Sequence, residues 1–160
     1  MEKTMSVTEG LVQLIENNSD RLAETMLMKL QSCDKCESFR RVPREEFRQR
    51  VYEIYDHLGE WLLDKKEADV ARRYIEIGIT REKQGVLLSE LMYAIIMTRE
   101  HLWEFLKQEA KIEKPKEIFG ELAVMELLEQ FFDRAMYYAA QGYEQSAGKA
   151  SREAVHAVVR

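Results

Sequence analysis

The sequence predicts an all-α bundle of about six helices, and three observations carry that reading. Apolar residues recur at helical spacing along most of the chain, and strand-like alternation appears nowhere. Only 2 prolines and 7 glycines occur in 160 residues, while the good helix formers Leu, Glu, Lys, Arg and Ala are plentiful. Cap and turn residues punctuate the apolar runs at intervals that suit helices.

Ser6-Val7-Thr8-Glu9 reads as a capping box that opens a helix carrying Leu11, Leu14 and Ile15. Asn17-Asn18-Ser19-Asp20 gathers cap and turn residues, so a break is expected there. Leu22, Met26, Leu27 and Leu30 then share a face, and residues 33–42 read as the first loop. Pro43 suits a first helical turn, where Glu45 and Glu46 favour the positive helix end. Phe47, Val51, Ile54, Tyr55, Leu58, Trp61 and Leu62 follow at helical spacing to about residue 63. The next helix starts near Asp64 and bears Val70, Tyr74, Ile77 and Gly78, a stripe that Arg81 continues until Gly85 breaks it.

The stretch 81–106 is expected to organise the chain. At about 100° per residue, Leu88, Leu91, Met92, Ile95, Leu102, Trp103 and Leu106 fall on one side of a helix. Leu87, Ala94, Met97 and Phe105 form a second strip, so this helix is expected to be covered on both sides. Residues 111–114 are a polar connector, and Pro115 opens the last helix. One face of it carries Ile118, Leu122, Met125, Phe132, Met136, Ala140 and Tyr143; the other carries Val124, Leu127, Phe131, Ala135 and Tyr138. Gly142 and Gly148 are expected to loosen this helix. The division expected is one domain over 1–148 and a helical extension over 149–160. Two apolar faces on the last helix predict a homodimer seam through Val124, Leu127, Phe131, Ala135 and Tyr138, with cover by the first two helices as the other solution.

A chain that is 46% hydrophobic and 33% charged is globular, and long enough to bury a core. A formal charge of −5 argues against nucleic acid as a partner. Arg40, Arg41, Arg44, Arg48 and Arg50 cluster, but Glu45 and Glu46 interrupt them, so the cluster reads as a solvated helix start. No apolar export segment opens the chain, and the longest apolar run, 91–97, is far too short for a membrane span. With 2 cysteines, this suggests the reducing cytoplasm.

Arg81 and Arg99 project from apolar stripes, and Glu129 holds the same odd place between Met125 and Phe132. Isolated buried charges are costly, so an interior ion pair is expected between Glu129 (or Asp133) and Arg99 or Arg81. The alternatives are side chains whose heads escape to water, or arginines that wait for an anionic ligand. Cys33-Asp34-Lys35-Cys36 has the spacing of zinc and dithiol sites, but alone it is half a zinc site and lacks a thioredoxin-like setting. No metal or cofactor is predicted. His101 lies on the second strip of its helix, where a haem ligand could be placed, although a packed histidine is the commoner use of such a position. Hydrolase, kinase and dinucleotide motifs are missing, so an enzyme is not expected.

Leu11-Val12-Gln13-Leu14-Ile15-Glu16-Asn17, Pro43-Arg44-Glu45-Glu46-Phe47, Gly78-Ile79-Thr80-Arg81, Gly85, Leu88-Ser89-Glu90-Leu91 and His101-Leu102-Trp103 together resemble the RsbR/RsbRD-type N-terminal domains of RsbT co-antagonist proteins, from about Gly10 to Lys107. The resemblance implies a globin-like helical domain that usually lacks haem, dimerises, and feeds a stress-response signal to a partner or a fused output module. The expected function is therefore a non-catalytic cytoplasmic signal-input and dimerisation domain. The alternative is a sensor of haem or an anionic metabolite, anchored by Arg81, Arg99 or His101.

Overall fold

The computed structural model describes residues 7–64, 66–109 and 115–159, with no side-chain description for 115–124 and for some positions near both ends. Six α-helices follow in order: α1 (Val7–Asn17), α2 (Ser19–Gln31), α3 (Arg44–Asp64), α4 (Glu67–Lys83), α5 (Leu88–Glu109) and α6 (Pro115–Val159). A 3-10 helix, Asp34–Arg41, joins α2 to α3. No strand occurs among the described residues, so the chain is an all-α helical bundle.

The breaks have local causes. The Asn18 side-chain amide donates to the Leu14 carbonyl (2.8 Å) and the Ser19 hydroxyl to the Ile15 carbonyl (2.9 Å), which separates α1 from α2. Gly85 takes a φ of 80°, and the Val86 N–H turns back onto the Arg81 carbonyl (3.0 Å) to close α4. The expected loop at 33–42 is mostly helix. Cys36, Phe39 and Val42 are buried and Cys33 half-buried, a spacing of three residues that suits a 3-10 turn, where i and i+3 eclipse.

The two-faced reading of α5 is corrected. Leu91, Ala94, Ile95, Thr98, His101, Leu102, Phe105 and Leu106 form a single buried arc with Thr98 near its middle. The two predicted strips are its two halves, Leu91, Ile95, Leu102 and Leu106 on one side of Thr98 and Ala94 and Phe105 on the other, while at the edges Met92, Met97 and Trp103 are half-buried and Leu87 is exposed. Thr98 escapes a hydrophobicity count because its hydroxyl is satisfied within the helix, donating to the Ala94 carbonyl at 2.7 Å.

The closest helix pair is α4 with α6, not a pair made by α5. A Cβ on Gly78 would lie 2.0 Å from the Ala139 carbonyl oxygen, and one on Gly142 would lie 2.0 Å from the Ile75 carbonyl oxygen. The two backbones therefore touch, which only glycine permits at those positions. Gly142, expected to loosen α6, instead seats it. Leu128, Phe131, Phe132, Ala135, Ala139, Gly142 and Ser146 form one buried face of α6, which takes Phe132 from one predicted strip and Phe131 and Ala135 from the other. Next to the seam, Phe131 gathers the rings of Trp61 (6.2 Å between centroids), Tyr74 (5.8 Å) and Phe132 (5.3 Å), knitting α3 and α4 to α6.

Candidate functional site

At the end of the bundle where α4 stops and α5 starts, the 3-10 helix is held by side chains. The Ser38 N–H donates to Glu90 (3.1 Å) and its hydroxyl also bonds Glu90, while the Leu87 N–H donates to the Ser38 hydroxyl (3.1 Å). This is a capping box made across chain segments: Ser38 caps the start of α5, and Glu90 reaches back to it. Arg41 donates to the Gly85 carbonyl (3.3 Å), and the Lys35 ammonium sits over the Tyr93 ring at 5.1 Å.

Phe39 and Phe47 stack at 4.9 Å and separate two spaces. Outward lies a cavity of about 380 Å³ between α2, the 3-10 helix and α3, with Leu27, Leu30, Phe39, Val42 and Phe47 in its wall beside Cys33, Cys36, Arg40 and Arg44. Inward lies Arg81. Its side chain is 3% exposed and donates to Glu46 (3.1 Å) and Gln84 (2.7 Å), whose amide donates to the same Glu46 oxygen (2.8 Å). The guanidinium lies 6.0 Å from the Phe39 ring and 5.9 Å from the Phe47 ring. Burial lowers the Arg81 pKa and the Glu46 charge opposes that shift. Arg81 thus pairs with Glu46 of α3 rather than with Glu129: α4 and α6 run side by side with Tyr74 beside Phe131 and Glu82 beside Ser146, which leaves Glu129 near the other end of α4.

Arg99 is the arginine that meets Glu129, at 3.3 Å, with Asp133 at 3.6 Å. Side-chain exposures of 23% for Arg99, 45% for Glu129 and 64% for Asp133 put this group at the rim of the bundle, not in its interior. Glu129 also accepts from the Trp103 indole at 2.8 Å. His101 points the other way, as two helical residues set about 200° apart must. Its Nε2 lies 2.7 Å from the Thr25 hydroxyl, and burial, then the charge of Lys29, holds its pKa below the ordinary value. Arg81, Arg99 and His101 therefore occupy three separate neighbourhoods, each with its own partner on a neighbouring element.

Of the residues assigned to a dimer seam, Val124 lies outside the described side chains. Phe131 and Ala135 are each 1% exposed and covered by the chain's own core. Leu127 and Tyr138 are half-buried against that core, and the Leu127 carbonyl accepts from the Trp61 indole (3.0 Å). On this face lie α3 and α4 of the same chain, with Trp61 against Leu127 and Tyr74 against Phe131. The back of α6 is what remains outside, where Tyr137 and Val155 are exposed. Among the described residues, the last tertiary hydrogen bond along α6 joins the Ser146 hydroxyl to Glu82 (2.6 Å), and beyond it the described side chains at 149, 151–153 and 155 are all exposed.

The arginine cluster is more tied down than a solvated helix start. Arg44 and Arg48 share Glu24 (2.8 and 2.9 Å), Arg48 also meets Asp20 (3.1 Å), and Arg50 meets Glu53 (3.1 Å). Among the described residues no group of three or more His, Cys, Asp or Glu is placed to hold a metal, and no helix is long and apolar enough to cross a membrane.

Sequence reasoning missed Ser38, Glu46, Gln84 and the contact of Gly78 with Ala139 and of Gly142 with Ile75. The contact had a readable signal, since Ala135, Ala139, Gly142 and Ser146 repeat small residues at four- and three-residue steps. The others are polar residues whose partners are remote in sequence, and no local pattern marks them.

No curated protein and no solved structure matches the chain. The family model for the RsbT co-antagonist protein rsbRD N-terminal domain matches residues 19–158. The match thus begins at α2 and takes in nearly all of α6, so it runs well past Lys107 while the Leu11–Asn17 string lies outside it. A match over most of the chain, on an all-α bundle closed by one long helix, means that this protein belongs to the RsbT co-antagonist rsbRD N-terminal domain family, whose members are sensory and regulatory domains.

Proposed function

We propose that the chain is a non-catalytic, cytoplasmic signal-input and dimerisation domain of the RsbR type, passing a change in helix packing along α6 to a partner or output module. The observation that carries this reading is the course of α6. Its 45 residues span roughly 65 Å. The middle is locked to α4 by backbone contact, and the final turns run clear of the bundle. A helix so held cannot shift at one end without shifting at the other, which suits a transmission element. The helical extension assigned to 149–160 is the part that would meet the output.

The second copy would pack against the back of α6, where Tyr137 and Val155 lie on one strip. Sedimentation of the purified chain at micromolar concentration tests this half: a dimer that Tyr137→Glu dissociates is expected, and a monomeric parent contradicts it. Transmission is tested by adding residues singly between Ala147 and Gly148 in a protein whose output module follows α6. Output that varies with the helical period is expected, and output indifferent to insertion contradicts the reading. The haem or anionic-metabolite alternative draws no support from Arg81, Arg99 and His101, which are separately engaged. A Soret band in the purified protein would revive its haem form.

A further inference from the structure

Cys33 and Cys36 belong to neither the seam nor the ion pairs, and both line the cavity of about 380 Å³. The Cys36 N–H donates to the Cys33 carbonyl at 3.3 Å, closing one turn between them. Such a turn keeps the two Cα atoms within about 7 Å, close to the range that a disulfide spans. Cys33 is half-buried and Cys36 is 2% exposed, so a molecule entering the cavity reaches Cys33 more readily. The wall is apolar, and Arg40 stands exposed at the mouth with no ion pair among the described residues, whereas Arg44 is taken by Glu24. Zinc finds no third ligand there among the described residues.

We propose that Cys33 and Cys36 form a dithiol site for exchange with small anionic disulfides, which enter this cavity with a carboxylate towards Arg40. In the first step Cys33 loses its proton and its sulfur attacks one sulfur of the incoming disulfide. The S–S bond breaks, a mixed disulfide forms on Cys33, and the departing half leaves as a thiolate that takes up a proton. In the second step the Cys36 sulfur, having lost its proton, attacks the Cys33 sulfur and expels the other half as a second thiol. The protein pair gives up two electrons and two protons, and the small disulfide becomes two thiols. Burial, followed by the neighbouring Cys33, pushes the Cys36 thiol up to about 12, so Cys33 attacks first and Cys36 resolves slowly.

The test exposes the reduced full chain to dithiodiglycolate or to the neutral bis(hydroxyethyl) disulfide, followed by intact mass and peptide mapping. Expected with dithiodiglycolate is one adduct on Cys33 that converts to an internal Cys33–Cys36 disulfide. Cys36→Ser should stop at the adduct, and Arg40→Gln should slow dithiodiglycolate severalfold while leaving the neutral disulfide unchanged. The peptide map of the unsubstituted chain gives the order of attack even where the Cys36 variant fails to fold. A first adduct on Cys36, a disulfide between chains in place of the internal one, no reaction of the folded protein, or equal slowing of both reagents would overturn the proposal.

Discussion

The middle and the C-terminal end of α4 are held in opposite ways. Along its middle, Gly78 meets α6 backbone to backbone, with no side chain between. At its C-terminal end, Arg81 meets α3 and the 3-10 helix only through side chains, the Glu46 carboxylate and the Phe39 and Phe47 rings, with the Gln84 amide at the end of its own helix beside them. Backbone contact fixes a helix to a few tenths of an ångström, because nothing at the interface can change rotamer. Side-chain contact leaves alternatives, and here it borders a cavity. One region can carry a displacement; the other can accept one.

The largest expected effect breaks the seam. Gly142→Ala places a methyl group 2.0 Å from the Ile75 carbonyl oxygen, and backbone cannot rotate away. A destabilisation of about 3 kcal/mol or more is expected, the upper end for overpacking, seen as a fall in the denaturant midpoint. Next comes the side-chain end. Glu46→Ala strands the buried Arg81 cation with Gln84 as its remaining acceptor. About 3 kcal/mol is expected, towards the lower end for breaking a buried pair, and Glu46→Gln should cost less because it keeps an acceptor.

The rim pair should matter far less. Glu129→Ala removes the partner of Arg99, but water reaches both groups, so a loss below about 1 kcal/mol is expected from equilibrium unfolding. The smallest effect is one of pH. Burial holds His101, and also His57, below the ordinary value of 6.5 in the fold, whereas the unfolded chain takes up protons near that value. Stability from these groups is therefore complete above pH 6.5 and is lost as pH falls through that value towards the folded one. Melting temperature should decline from about pH 7.5 to 5.5, and less steeply in His101→Gln, which can keep a bond to Thr25.

Helix order, the Gly85 break and the reach of the last helix were legible because each rests on local chemistry: cap residues, a left-handed glycine, apolar spacing. The buried faces of α5 and α6 were half legible. Their flanks are large and apolar, but their centre lines run through Thr98, Ala135, Ala139, Gly142 and Ser146. Close packing selects small residues at the point of nearest approach, so hydrophobicity dips where burial is greatest, and one face reads as two. Arg81 was legible as a buried charge that needs a partner. That the partner is Glu46 was not, because the pairing is decided by how α3 and α4 lie together.

Hydrogen exchange on the intact chain tests most directly the division between a seam that is stiff and an adjoining 3-10 helix that yields. The amides of residues 75–78 and 139–143 should exchange last, by global unfolding alone, while the buried amides of the 3-10 helix at Cys36 and Phe39 should exchange earlier through local opening. Equal protection at both places, or a seam that opens before the 3-10 helix, would contradict that division.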